Sequence, residues 1–525
     1  MRYQCMILFM LVSAAFCFAS DDLPLWGNLR PGPYGVGFAL RSQYDYSRVF
    51  RPEVRFDGKR NEGETARPVQ ILVWYPASVR AGAKRLQYRD YVHLRARELS
   101  FEKMSREDKR QSEEQYINGG VSSQQYDRKG LEWLMGAKTA AVLGAPGAKG
   151  NFPLVLYGPG SGGNAFENSI LCEYLASHGY IVAAIPSIGT YSRVPNVDLL
   201  GFNSYARDME FAIAAMRTFP NTNPKNVAIA GFSMGGSSGT LLQMRNMNIR
   251  GAVYFDTGLP YREFLATHLT KAAEWDTNAL RAPQLYFIRR VPQVDPEFAK
   301  DIRYAEIFTL FAGGNFFRHN DYIADGMLAG VVPGLFPENA SDRKALYETV
   351  CLYTLNFLNG FLKSDPKGIE FLKKRPEQNG VPLKLLEFSH KPAAAPPPRR
   401  WEILEMLETD GAPKFREAYA EYRAAHPDSS PVTENDFIGI GFLMLSRGDA
   451  ASAIEMFEMS VEMYPASATG RFSLSEAYET AGNREKSLLN AKSALELLAA
   501  DTVINEQARN AMRQMLDARI SRLKK

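Results

Sequence analysis

Val227-Ala228-Ile229-Ala230-Gly231-Phe232-Ser233-Met234-Gly235-Gly236 is the stretch on which the reading of this chain turns. A short, unbroken run of Val, Ile and Ala reads as a strand buried on both faces of a parallel sheet. Ser237 to Met247 reads as a helix. A strand, a sharp turn and a helix, with serine at the apex, is the pattern of a nucleophile elbow. Gly231 and Gly235 stand where a side chain would collide with the neighbouring strand or helix, so the turn can stay tight. Ser233 is then held in a strained conformation with its hydroxyl clear of the sheet. The backbone N–H of Met234 points to where an oxyanion would form.

Working outward, strands and helices alternate on both sides of this elbow. Val69 to Tyr75, Pro153 to Tyr157 and Tyr180 to Ile185 read as strands before it, with helices at Ala165 to His178 and Ser204 to Phe219. Gly251 to Phe255 and Gln284 to Ile288 read as strands after it. Ile307 to Leu310 is expected to be the last, followed by a long closing helix from Lys344 to Leu362. Regular alternation predicts a doubly wound, mostly parallel α/β sheet. Reactive groups in such a sheet gather at the carboxyl ends of its strands, which is where the elbow lies. Residues 20 to 66 read as an irregular, turn-rich start, with Val36 to Leu40 as a candidate strand start. Residues 88 to 130 are strongly charged, as in Lys103-Met104-Ser105-Arg106-Glu107-Asp108-Lys109-Arg110, and form either a lid over a pocket or a solvated helical surface.

The two ends of the chain differ from this core. Arg2, the apolar Met6 to Val12 and small residues up to Ala19 read as a secretory signal peptide, residues 1–19, too short to span a bilayer comfortably. A soluble protein exported to the periplasm or secreted is expected, with no transmembrane segment. Lys391-Pro392-Ala393-Ala394-Ala395-Pro396-Pro397-Pro398 reads as a semi-rigid linker over residues 391–400, which separates residues 20–390 from a helical domain at 401–525. In that domain Glu434 to Ser467 overlays Ala468 to Asp501 at a 34-residue period, with Gly448-Asp449 matching Gly482-Asn483 at the turn between helices. Helix pairs at this period resemble tetratricopeptide repeats. Such repeats offer a groove for a protein partner or pack as a stabilising appendage.

Composition narrows the function. An apolar share of 45% supplies a sizeable core, and a net charge of +4 over 525 residues argues against a nucleic-acid surface. Two of the four cysteines leave with the signal peptide, so the mature chain keeps Cys172 and Cys351. Buried free thiols are expected, with one disulfide as the alternative in an oxidising compartment. No cysteine spacing suits a metal.

A serine hydroxyl attacks only once a base accepts its proton, and with an elbow of this kind the partners follow in the order serine, acid, histidine. Of six histidines, His93 and His178 precede Ser233, His268 sits on a helix-like stretch, His390 abuts the linker and His426 lies beyond it. His319 remains, in the loop Gly313-Gly314-Asn315-Phe316-Phe317-Arg318-His319-Asn320-Asp321. Asp256, at the end of one strand, and Asp295, in a loop after the next, compete as the acid. The loop Gly158-Pro159-Gly160-Ser161-Gly162-Gly163-Asn164 follows a strand, and the Ser161 N–H is the second candidate oxyanion donor beside Met234. No Gly-Lys-Ser/Thr follows these glycines, which argues against a phosphate cradle.

Together Phe152 to Tyr157, the glycine loop, Leu175 to Tyr180, Gly231 to Gly236, Tyr254-Phe255-Asp256 and Arg318-His319-Asn320-Asp321-Tyr322 resemble the α/β-hydrolases of the platelet-activating-factor acetylhydrolase type, related to dienelactone hydrolases. The resemblance spans roughly residues 30–365. It implies that the acid follows the strand after the elbow helix, which is Asp256. The glycine loop of that family usually begins His-Gly, where this chain has Pro159-Gly160. The expectation is an exported serine esterase acting on a small-molecule or lipid-like ester through Ser233, Asp256 and His319, with no cofactor and no metal. A peptidase of the same fold, or a binding protein whose repeats recruit a partner, are the alternatives.

Overall fold

The computed structural model describes residues 23–50, 65–122, 126–313, 317–335, 338–381, 386–409, 412–425, 432–500 and 505–525. The expected signal peptide lies outside them. The chain divides into two compact units that part after Ala394.

Among the described residues the first unit has ten strands: β1 (Gly35–Phe50), β2 (Thr65–Ala77), β3 (Ala141–Leu143), β4 (Phe152–Gly158), β5 (Ile181–Ala184), β6 (Thr222–Phe232), β7 (Ile249–Phe255), β8 (Gln284–Arg289), β9 (Ile307–Ala312) and β10 (Leu386–Lys391). They form one sheet in the order β10-β9-β8-β7-β6-β4-β5-β2-β1-β3. From β5 across β4 to β9 every neighbouring pair is parallel. The antiparallel pairs β1–β2, β2–β5 and β9–β10 lie towards the two edges. This mostly parallel sheet, entered through an antiparallel hairpin and flanked by helices, has the α/β-hydrolase architecture.

Alternation along the central strands explains why both faces are covered. Val155 and Tyr157 of β4 and Ala228, Ala230 and Phe232 of β6 join one core. Leu154 and Leu156, with Val227 and Ile229, join the other. All seven residues of β4 are buried. The helices Ser169–Ser177 and Ala340–Leu362 contribute to the first core, and Leu199–Met216 to the second.

Two sequence expectations are corrected here. The start that reads as irregular beyond a candidate strand at Val36 to Leu40 contains the sixteen-residue β1. Its alternation is obscured by polar residues such as Arg41, Ser42 and Gln43, which sit towards the edge of the sheet. Ile307 to Leu310 is not the last strand, because β10 pairs antiparallel with β9. Leu386 is buried while Glu387, Ser389 and His390 are exposed or half-exposed, the half-wet pattern of an edge strand, set directly against the proline-rich stretch.

The register fixes the functional end of the sheet. β5 and β6 flank β4 on opposite sides, so the strand order reverses at β4 and leaves a crevice at its carboxyl end. Gly158 of β4 pairs with Gly231 of β6, Phe232 with Phe255 of β7, and Phe255 with Phe287 of β8. The residues that follow these positions therefore emerge side by side.

The charged insertion forms helices at Tyr88–His93, Arg106–Ser122 and Arg128–Gly136. An aromatic cluster anchors it, with Phe166 against Tyr88, Tyr91 and Tyr116. The second unit is helical: Arg400–Thr409, Ala412–Ala425, Glu434–Ser446, Ala450–Met463, Ala468–Thr480, Arg484–Ala500 and Glu506–Lys524. The middle four make two helix pairs whose turns carry Gly448 and Gly482 at φ 84° and 77°. Ala453 and its counterpart Ser487 are both buried, whereas Leu443, aligned with buried Ala477, is 41% exposed. Among the described residues no helix is long and apolar enough to cross a membrane.

Candidate active site

Ser233 terminates β6 and caps the helix Met234–Arg245, with φ 51° and ψ −115°. This left-handed backbone is costly for a residue with a Cβ. Its surroundings enforce it. The Ser233 N–H donates to Phe255 O at 3.0 Å, and the Ser233 carbonyl accepts from Thr257 Oγ1 at 2.9 Å. A Cβ on Gly231 would lie 2.6 Å from Gly236 Cα, and one on Gly235 would lie 2.0 Å from Gly158 O. Both glycines are therefore demanded by close backbone approach. Met234 opens the helix, where the first N–H groups lack an intrahelical acceptor.

The glycine loop lies against this turn: a Cβ on Gly160 would stand 3.5 Å from Ser233 Cβ. Beneath it, Glu167 Oε1 accepts from Tyr157 Oη at 2.8 Å and from Gly160 N–H at 3.0 Å. Burial pushes the Glu167 carboxyl up to about 8, against the opposing pull of those two hydrogen bonds.

Asp256 leaves β7 beside Ser233, itself at φ 42°. Its Oδ1 accepts from Tyr261 Oη at 2.6 Å and from Arg289 N–H at 3.2 Å. Its Oδ2 meets Arg289 Nε and His319 Nδ1, each at 2.5 Å. The side chain is wholly buried. Burial alone would raise the carboxyl, but the hydrogen bond and charge of His319, with Arg289 and Tyr261, outweigh it and hold Asp256 below the usual range. An ionised carboxylate only accepts, so the proton of this contact belongs on His319 Nδ1 and leaves Nε2 able to take another. The His319 ring lies 4.5 Å from the Phe232 ring, centroid to centroid. Its loop is pinned by Asp321, which accepts from Arg318 N–H at 2.7 Å and from Arg343 Nε at 2.7 Å.

The structure thus brings Ser161, Ser233, Met234, Asp256 and His319 to one cleft of about 200 Å³, with Val197, Phe202 and Phe264 among its apolar walls. It does not bring Asp295 there. That carboxylate pairs with Arg262 at 3.0 Å, and the pairing holds it below the usual range. No described residue of the charged insertion lines the cleft. Cys172 and Cys351 are free and buried. Among the described residues no group of three or more His, Cys, Asp or Glu could hold a metal.

Sequence reasoning missed Tyr261, Arg289 and Glu167. Arg289 had a usable signal, because it ends β8 just as Asp256 follows β7. Tyr261 and Glu167 had none, since their contacts depend on turns no pattern specifies.

No family model matches the chain, and no curated protein matches it. Among solved structures it is similar to a ferulic acid esterase from Streptomyces cinnamoneus, with a TM-score of 0.45 and 18% identity, over 68% of this chain and 96% of that one.

Proposed function

We propose that this protein is a serine hydrolase of carboxylic esters. The observation that carries the reading is the contact of buried Asp256 with His319, made in the same cleft as a serine at left-handed φ. In this mechanism His319 Nε2 takes the Ser233 hydroxyl proton as Oγ attacks the acyl carbon. The N–H groups of Met234 and Ser161 stabilise the resulting oxyanion. The intermediate collapses, His319 returns the proton to the departing alkoxide, and the acyl group stays on Ser233. Water then loses a proton to His319 and attacks the acyl carbon. The carboxylic acid leaves and Ser233 recovers its proton. Asp256 holds the imidazole in the required tautomer and stabilises its cation.

The small, largely apolar cleft supports short acyl groups as substrates. The reading includes export, a two-domain layout with the division near residue 391, and tetratricopeptide-like repeats that recruit a protein partner.

The test is hydrolysis of p-nitrophenyl acetate and butyrate by the wild type and by Ser233→Ala. Loss of the nucleophile should lower kcat by on the order of 10⁴-fold or more. Equal turnover by both proteins, or none by either across several acyl lengths, would sink the proposal.

A further inference from the structure

The glycine loop is gripped from outside the cleft. Arg193 Nη1 donates to Ser187 O at 2.9 Å and Gly162 O at 3.3 Å. Its Nη2 donates to Gly163 O at 3.2 Å and Asn164 Oδ1 at 3.4 Å. Its Nε meets Glu98 Oε2 at 2.5 Å, and the Glu98 side chain is only 3% exposed. Glu98 caps the short turn Leu94–Arg97, inside the charged insertion. From the same insertion, Tyr126 Oη donates to Asp325 beside the His319 loop, and Asp325 also accepts from Asn320 Nδ2 at 3.3 Å.

These contacts have a consequence at Ser161. The Gly163 N–H donates to Gly160 O at 2.9 Å, closing a tight turn. A peptide unit is planar and trans, so its N–H points opposite to its C=O. Fixing Gly160 O therefore fixes the direction of the Ser161 N–H. Arg193 holds the far end of the same turn through the carbonyls of Gly162 and Gly163. A planar guanidinium suits this task, since its donors are set in one rigid fork.

We propose that Arg193, with Glu98 as its buried counter-ion, is a positioning residue for the oxyanion donor at Ser161, and that the charged insertion is a brace for the active site instead of a lid. This rests on the serine-hydrolase reading above. Arg193 touches no reacting atom and acts through the loop.

The experiment compares the full-length wild type with Arg193→Met and Glu98→Gln. Three quantities are read: kcat and KM on p-nitrophenyl butyrate, inhibition by phenylboronic acid, which becomes tetrahedral on Ser233 Oγ, and amide hydrogen exchange across residues 160–164. Arg193→Met should lower kcat about 10- to 100-fold, as expected for a misplaced oxyanion donor. KM should stay within about 3-fold, because the ground-state carbonyl needs that donor less. Phenylboronic acid should weaken in parallel with kcat, and exchange at the loop should quicken. Glu98→Gln keeps an acceptor for Nε without its charge and should give a smaller loss of the same kind, which keeps the test open should Arg193→Met fold poorly. Unchanged loop exchange in both variants overturns the brace, as does a rise in KM with kcat intact. If the wild type turns over no ester while the variants still loosen the loop, the hydrolase reading falls and takes the oxyanion role with it, leaving Arg193 as a structural hold on the loop alone.

Discussion

The two walls of the cleft are built by different means. On one wall, Ser233 and the glycine loop are placed by backbone: a left-handed φ, two glycines without room for a side chain, and a helix start. On the other, Asp256, Arg289, Tyr261 and His319 are placed by charge and hydrogen bonds between side chains from separate elements. Each wall holds one non-glycine residue at positive φ, Ser233 and Asp256, but only the second also holds a buried anion, which is stable only while its partners are present. Substitutions should therefore act with opposite signs on stability at the two walls, even where both abolish activity.

The largest effect is expected on the charged wall. Asp256→Asn keeps the shape but presents an amide where His319 Nδ1–H and Arg289 Nε need an acceptor, so the wrong tautomer is favoured. A loss of roughly 10⁴-fold in kcat is expected from that fault. Stability should fall as well, because Arg289 loses its buried counter-ion. Asp295→Asn is the control: its carboxylate pairs with exposed Arg262 outside the cleft, so kcat should stay within about 2-fold of wild type. Equal losses from the two variants, in steady-state assays, would break the assignment of the acid.

Ser233→Gly tests the other wall. The site's strain costs of order 1–3 kcal/mol for a residue with a Cβ, and glycine relieves it while giving back about 0.5–1 kcal/mol in unfolded-chain entropy. The variant should be inert yet more stable than wild type by about 1 kcal/mol, read as a higher denaturant midpoint at unchanged slope. A lower midpoint would mean that the turn is not strained in solution and that the contrast between the walls is wrong.

That contrast also explains what could be read from the chain alone. The strained wall is local: Gly231, Ser233 and Gly235 lie within five residues, and the apolar run before them identifies the strand. The sheet was legible for the same reason, since each central strand is a continuous apolar run. His319 was reached only by eliminating the other histidines, because a loop has no periodicity. Asp256 and Asp295 were not separable by pattern, as each follows a predicted strand, and only the resemblance favoured Asp256. Arg193 and Glu98 lie 95 positions apart and meet through tertiary folding. Towards the edges of the sheet, β1 was legible only at Val36 to Leu40 and β10 not at all, because half-wet strands lack the apolar signal of the centre.

The smallest effect on turnover is expected at Glu167, which lies under the strained wall as a half-buried carboxyl group. Its ordinary value of 4.5 is raised to about 8, chiefly by burial. Between these two values the folded protein keeps a proton that the unfolded chain releases. The stability tied to this proton is fully present below about pH 4.5, declines as pH rises, and is gone above about pH 8. Glu167→Gln remains neutral throughout and keeps an acceptor for Tyr157 and Gly160. The wild type should therefore lose melting temperature relative to the variant as pH rises from 5 to 8, with the two close together at pH 5 and their separation constant above about pH 8.5. Parallel melting curves across this range would mean that Glu167 is ionised in the folded protein. The glycine loop would then rest on a half-buried negative charge beside the proposed oxyanion site, which would oppose the oxyanion that the Ser161 N–H is proposed to stabilise.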